Sequence, residues 1–276
     1  METASSLFLS TTVTAYGLST WLYRRSLTLP SRRAAAWARH ALALGVIVHT
    51  ALFAGRWLLT GLPPVGDLFG LLLLYGWLLV VGYLLIEGLW RMSALGVYLL
   101  PVASLVLLLA LAAPAAPRPL PAELWSVWLP IHAGSAFLAY ALFTLAALLS
   151  LLALLQERRL RRPGPSRLLA YLPPLTAAQA AAHRCVALGY PLITLTLCSG
   201  AAWAGEVWGT PWSWDPKQTM ALITWLLYTF YLRVRGAPRW AGRPSAWLLV
   251  GGLGCVLITF LGVSLTGLTA HDFTGR

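Results

Sequence analysis

Apolar positions gather into eight runs, near residues 5–23, 41–59, 68–87, 94–113, 130–155, 186–203, 217–232 and 246–266. A helix of about 20 apolar residues crosses the hydrocarbon of a bilayer, and each run has close to that length. Lipid gives an unpaired backbone group no partner, so each run is predicted to be a helix that satisfies its own amides. The expected fold class is therefore all-α, a polytopic transmembrane helix bundle forming one integral membrane domain over residues 1–276. The first run is the richest in Ser and Thr, and it lacks the charged leading region of a cleavable signal, so it is expected to remain as a span. No internal repeat is visible.

The polar positions between the runs orient the bundle. Of the twenty Lys and Arg residues, sixteen fall on one set of alternating loops: Arg24, Arg25, Arg32, Arg33, Arg39, Arg91, Arg158, Arg159, Arg161, Arg162, Arg167, Arg184, Arg233, Arg235, Arg239 and Arg243. Arg56, Arg118, Lys217 and Arg276 fall on the other. The cation-rich side is expected to be cytoplasmic, which puts both termini on the outer, periplasmic side. The expected location is the cell's inner (plasma) membrane, or a thylakoid membrane in a plastid. The long cytoplasmic connection from Gln156 to Arg184 reads as topology determinants and contacts to anionic membrane lipids, with an Ala-rich stretch forming a short surface helix.

Composition adds exclusions. With 59% hydrophobic and 10% charged residues the chain is not a soluble domain. The net charge of +12 could suggest nucleic acid, but its confinement to short loops argues for no nucleic-acid partner. Cys185, Cys198 and Cys255 stand alone in or beside apolar segments and read as small buried hydrophobes. Without a Cys-x-x-Cys-His motif the chain carries no covalently attached haem of its own.

One loop breaks the apolar pattern with chemistry. Between Trp203 and Lys217 the chain carries Trp203, Trp208, Trp212 and Trp214 among Gly and Pro, and the topology puts this loop outside. One reading is an interfacial tryptophan belt. The other is a platform for a flat ligand. Asp215 can cap the next helix with Pro216 at its first position, which aims the helix's N–H groups at whatever the indoles hold and favours an anion. A planar molecule carrying carboxylates meets both conditions.

The histidines narrow the ligand. His132 starts span five and His271 follows span eight, both level with the tryptophan loop. Two imidazoles flanking an aromatic shelf are what a bis-histidine haem iron requires, one nitrogen to each face. His49 lies mid-span, where an ionisable group is a functional candidate, a haem ligand among the options; the ordinary alternative is a neutral ring hydrogen-bonded to a neighbouring helix. His40 and His183 lie beside arginines at the cytoplasmic boundary, and Glu87 is placed to pair with Arg91.

Trp-Gly-x-x-Trp-x-Trp-Asp-Pro-Lys at Trp208–Lys217, followed by Ala-Leu-Ile-Thr-Trp-Leu at Ala221–Leu226, resembles the WWD motif of haem-handling proteins. The Asp-Pro-Lys continuation and eight spans are similar to the CcsA/ResC subunit of cytochrome c synthetase. His132 with Tyr140, the Leu261-Gly262-Val263 lead to His271, Arg56-Trp57, and Ala187-Leu188-Gly189 with Pro191 extend the likeness over most of the chain after residue 50. The resemblance implies that haem b is a substrate held on the WWD loop, with His132 and His271 as axial ligands. Its vinyl groups would then be joined to the thiols of a Cys-x-x-Cys-His apocytochrome c. It implies a two-component synthase of the lyase type, with a ResB/CcsB partner and separate thiol-reducing proteins. Lys217 and Arg56 are the outer cations available to the propionates. Two departures stand out: Arg233 occupies the place of a span-seven histidine found in many relatives, with His49 a substitute for it, and Asp67-Leu68-Phe69-Gly70 replaces the usual Asn-Leu-Tyr-Glu. The alternatives are a CcmC-like haem delivery protein without ligase activity and a HemX-like regulator of haem synthesis.

Overall fold

The computed structural model describes residues 2–29, 32–61, 66–90, 92–113, 122–161 and 172–262. Its long helices are α1 (Glu2–Thr28), α2 (Arg32–Thr60), α3 (Leu68–Trp90), α4 (Gly96–Ala112), α5 (Trp128–Arg161), α6 (Leu175–Trp208), α7 (Pro216–Val234) and α8 (Arg243–Leu257). No strand occurs among the described residues. The expected all-α membrane bundle is therefore what the chain forms, one helix for each apolar run. By length and apolarity α2 to α6 and α8 can cross a bilayer. The other two are more polar, but their hydroxyls are spent inside the protein. In α1, Thr11, Thr12, Thr14 and Thr20 each donate to the carbonyl four residues back. In α7, Thr224 and Thr229 do the same.

The chain groups into two compact units, residues 1–119 with 159–173, and residues 120–158 with 174–276. In the first, α1 packs on α2 and α4, and α3 on the same two helices. His49 ties three of these helices together. It is fully buried; its Nδ1 lies 3.1 Å from the Tyr16 hydroxyl of α1 and its Nε2 3.1 Å from the Leu73 carbonyl of α3. A carbonyl only accepts, so Nε2 carries the proton and Nδ1 accepts from Tyr16. Both ring nitrogens thus have protein partners, the ordinary alternative set out for this residue, and iron ligation by His49 would require one of them to be given up. At the other end of α2, Arg56 and Asp67 form an ion pair of 2.7 Å whose side chains are 8% and 10% exposed. Arg56 also lies over the Phe69 ring at 4.8 Å, and the second Asp67 oxygen accepts from the Gly70 amide at the start of α3. Glu87 accepts the Tyr23 hydroxyl on both carboxylate oxygens; the expected partner Arg91 lies outside the described residues.

The second unit is built round a column of rings. Phe143 of α5 and Tyr228 of α7 stack at 3.6 Å with 10° between their planes. Gly189 of α6 backs Phe143 so closely that a Cβ there would lie 2.7 Å from the ring, and Gly252 of α8 backs Tyr228 at the same distance. Four helices thus meet through two rings held between two glycines, the close approach that packing in lipid needs when no hydrophobic force drives helices together. Tyr190 and Trp225 stack across α6 and α7, and their polar edges bond Thr229 and Thr194.

Two boundaries differ from expectation. The Ala-rich stretch read as a surface helix is continuous with α6, whose apolar side keeps Ala178, Ala181 and Ala182 buried. Trp203 and Trp208 also belong to α6, because the helix runs on until Gly209, which ends it in the left-handed conformation (φ 73°) that glycine adopts without steric cost.

Removing the His49 ring strands the Tyr16 hydroxyl. His49→Leu should cost about 1–3 kcal/mol and Tyr16→Phe no more than about 1.5 kcal/mol, because the phenylalanine leaves only an acceptor unpaired. Thermal unfolding in detergent should rank them in that order.

Candidate functional site

The site is assembled at one end of the second unit, where α5 begins, α6 ends and α7 begins. His132, in the first turns of α5, brings its Nδ1 to 2.9 Å from the Thr196 carbonyl of α6. The carbonyl must accept, so the proton is on Nδ1 and Nε2 keeps the lone pair. A ligating histidine is oriented by this kind of partner behind it. Ser135 ties the same turn to Thr196 through a hydroxyl pair at 2.9 Å. The approach depends on Gly200, where a Cβ would lie 2.7 Å from the His132 ring.

Trp203 lies beside this histidine. Its ring centroid is 5.8 Å from that of His132 and 5.6 Å from that of Trp208. It is 2% exposed, and its indole N–H donates to the Leu124 carbonyl at 3.2 Å. Trp203 is therefore a wall behind the site. Ser126 adds a second tie from the same segment to Glu206 of α6.

The rest of the loop is short, from Gly209 to Asp215. Asp215 caps α7 as expected: its side chain accepts from the Lys217 amide at 2.8 Å, with Pro216 in the first turn. Such a cap stabilises a helix by about 1 kcal/mol. Trp212 and Trp214 meet edge to face, 5.6 Å apart at 89°. Trp212 is half-buried. Trp214 is 69% exposed.

Of the expected residues at this end, His132 meets Trp203, Trp203 packs on Trp208 within α6, Asp215 and Lys217 meet at the start of α7, and Trp212 and Trp214 lie in the loop between. Arg56 belongs to the first unit and is committed to Asp67, as is His49 to Tyr16 and Leu73. His271 lies outside the described residues. The end of α8 is described as far as Gly262, and there Phe260 packs edge-on against Phe137 of α5, with centroids 5.5 Å apart. His271 follows nine positions after Gly262. The chain leaves α8 as a π-helical turn, Ile258–Gly262.

Thr196 and Gly200 were not singled out from sequence, since a carbonyl partner and a close approach leave no residue-type signal inside an apolar helix. Gln218, by contrast, carries a signal in its spacing. Asp-x-x-Gln at Asp215–Gln218 has the spacing of a capping box, which marks the third helical residue as one that reaches back before the helix.

Comparison with known proteins covers both units. The family described as Cytochrome C assembly protein matches residues 65–271. The cytochrome c biogenesis protein CcsA of Thermosynechococcus vestitus is 33% identical over 274 residues, covering 85% of this chain and 86% of its own. The CcsA of Guillardia theta is 30% identical over 249 residues, with 83% of each chain covered. Among solved structures, the cytochrome c haem lyase CcmF superposes with a TM-score of 0.67 over 99% of this chain at 19% identity, a likeness of fold. The present chain spans about half of it, 51%.

Gly200→Ala should push the His132 ring off the Thr196 carbonyl and move its imidazole nitrogen resonances in a 15N-histidine NMR spectrum. An unshifted ring would refute the close-approach account. Asp215→Ala should speed amide hydrogen exchange in the first turn of α7 by about five-fold, the equivalent of about 1 kcal/mol, and Asp215→Asn should largely restore protection.

Proposed function

The chain belongs to the cytochrome c assembly protein family, and on that footing we propose that it is the membrane subunit of a cytochrome c synthetase, binding haem b as substrate at the outer face and presenting it to apocytochrome c. The observation that carries the reading is the His132 imidazole. Its Nδ1–H is spent on the Thr196 carbonyl, which leaves Nε2 as the electron-pair donor beside a tryptophan loop. His49, by contrast, has both ring nitrogens bonded within the protein, whereas His132 holds one and stands beside the Trp203 indole at the end of α6 that leads into the loop.

His132 supplies one axial ligand and His271 the other. Trp208, Trp212 and Trp214 provide the apolar platform, with Trp203 as its back wall. Lys217, beside the capped start of α7, offers a cation and a helix N-terminus to the propionates. Arg56, held by its ion pair with Asp67, is the second outer cation for the propionates. Ligation from behind leaves the vinyl-bearing edge toward incoming thiols, so positioning supplies most of the rate and no acid–base triad is needed. Haem brings the reactive vinyl groups; the protein binds them in place and excludes competing reactions. Both termini lie on the outer side of the plasma membrane or its plastid equivalent, and a ResB/CcsB-type membrane partner and thiol-reducing proteins complete the system. The CcsA relatives favour this reading over haem delivery without ligation and over regulation of haem synthesis.

The full chain purified from a haem-replete host should show a Soret band, and His132→Ala with His271→Ala should remove it or shift it. Coexpressed with a ResB/CcsB partner in a host lacking its own maturation genes, the chain should yield covalent reporter cytochrome c. Haem bound without covalent product would support delivery instead. Altered tetrapyrrole precursors with normal cytochromes would support regulation.

A further inference from the structure

We propose that Gln218 and Thr219 form a latch that holds the Trp214 indole outward from the loop, to lie against the face of the flat ligand. They are positioning residues for the platform, and the inference rests on the platform reading above. Among the described residues Trp214 alone has a positive φ, 57°, without being glycine. An indole-bearing residue adopts this conformation rarely, and it persists only where the surroundings over-determine it. The bonds that do so come from the first turn of α7. The Gln218 side-chain carbonyl accepts from the Ser213 amide at 2.9 Å and from the Ser213 hydroxyl at 3.3 Å. The Thr219 hydroxyl donates to the Trp214 carbonyl at 3.2 Å. The residue is thus gripped on both sides of its own α-carbon.

These bonds serve the loop more than the helix. Asp215 caps α7 through the Lys217 amide, and in an ordinary capping box the Gln at the third position would reach the amide of the cap residue itself. Here it reaches two residues further back, to Ser213. The bend leaves Trp212 half-buried and Trp214 69% exposed, edge to face with it. A tryptophan that only anchored the loop at a lipid headgroup would need no such backbone, since ordinary loop conformations present an indole equally well. A ring fixed in one direction suits a rigid planar partner, because its ordering is settled before binding.

The test uses the full chain in detergent with 5-fluorotryptophan incorporated, the Trp214 signal being assigned by its loss in Trp214→Phe, and hemin as the titrant. Gln218→Met and Thr219→Val should move or broaden the Trp214 resonance in the absence of hemin and raise the hemin dissociation constant about five-fold or more. Gln218→Glu, which keeps the acceptor oxygen, should leave both near the parent values. Helical circular dichroism should be unchanged throughout. A Trp214 resonance unmoved by Gln218→Met overturns the latch. So does unchanged hemin binding in the latch variants when Trp214→Ala weakens it. If Trp214→Ala itself leaves hemin binding unchanged while His132→Ala abolishes it, the indole platform is what fails, and the latch falls with it.

Discussion

The site depends on one close approach, that of the His132 imidazole to the backbone of α6. A hydrogen bond from Nδ1 to the Thr196 carbonyl is possible only because position 200 carries no side chain. That contact sets the register of α5 against α6 at this end, chooses the tautomer, and brings the ring to Trp203. A buried carbonyl is a strong director here, because in a low-dielectric setting few alternatives satisfy the ring N–H.

The same device recurs deeper in the unit, with glycines backing aromatic rings. Gly189 behind Phe143 and Gly252 behind Tyr228 let four helices share one stacked pair. Between helices in lipid, association relies on fit and on a few polar contacts, so a ring column of this kind holds the frame on which the site is placed. Its place in the middle stretches of α5 to α8 keeps the frame apart from the loop, and the chemistry-bearing residues lie at one end. The loop itself is held by caps and side-chain bonds rather than by burial.

Two histidines in one chain show how the same residue type reaches opposite ends. His49 and His132 are both next to aromatic rings and both bond a carbonyl of a neighbouring helix. His49 also accepts from Tyr16 and is sealed inside three helices, so its ring is used up in holding them. His132 has one nitrogen held and stands at a helix start beside the tryptophan loop. Sequence position separated them only by depth along a span.

Much of the architecture was readable from residue order. Eight apolar runs became eight helices, since a bilayer admits little else for such segments. The Asp215-Pro216 cap was legible because capping is a local matter of side chain and adjacent amides. The tryptophan motif and the family it belongs to were legible as a spacing. What residue order could not decide was which tryptophans are wall and which are surface: Trp203 reads like Trp214, yet one is 2% and the other 69% exposed. Nor could it reveal that Arg56 answers Asp67, that Thr196 and Gly200 stand behind His132, or that Gln218 grips Ser213. Each of these is a meeting of groups whose partners are set by helix packing or by the path of a bent loop, and such meetings exist only once the chain has folded.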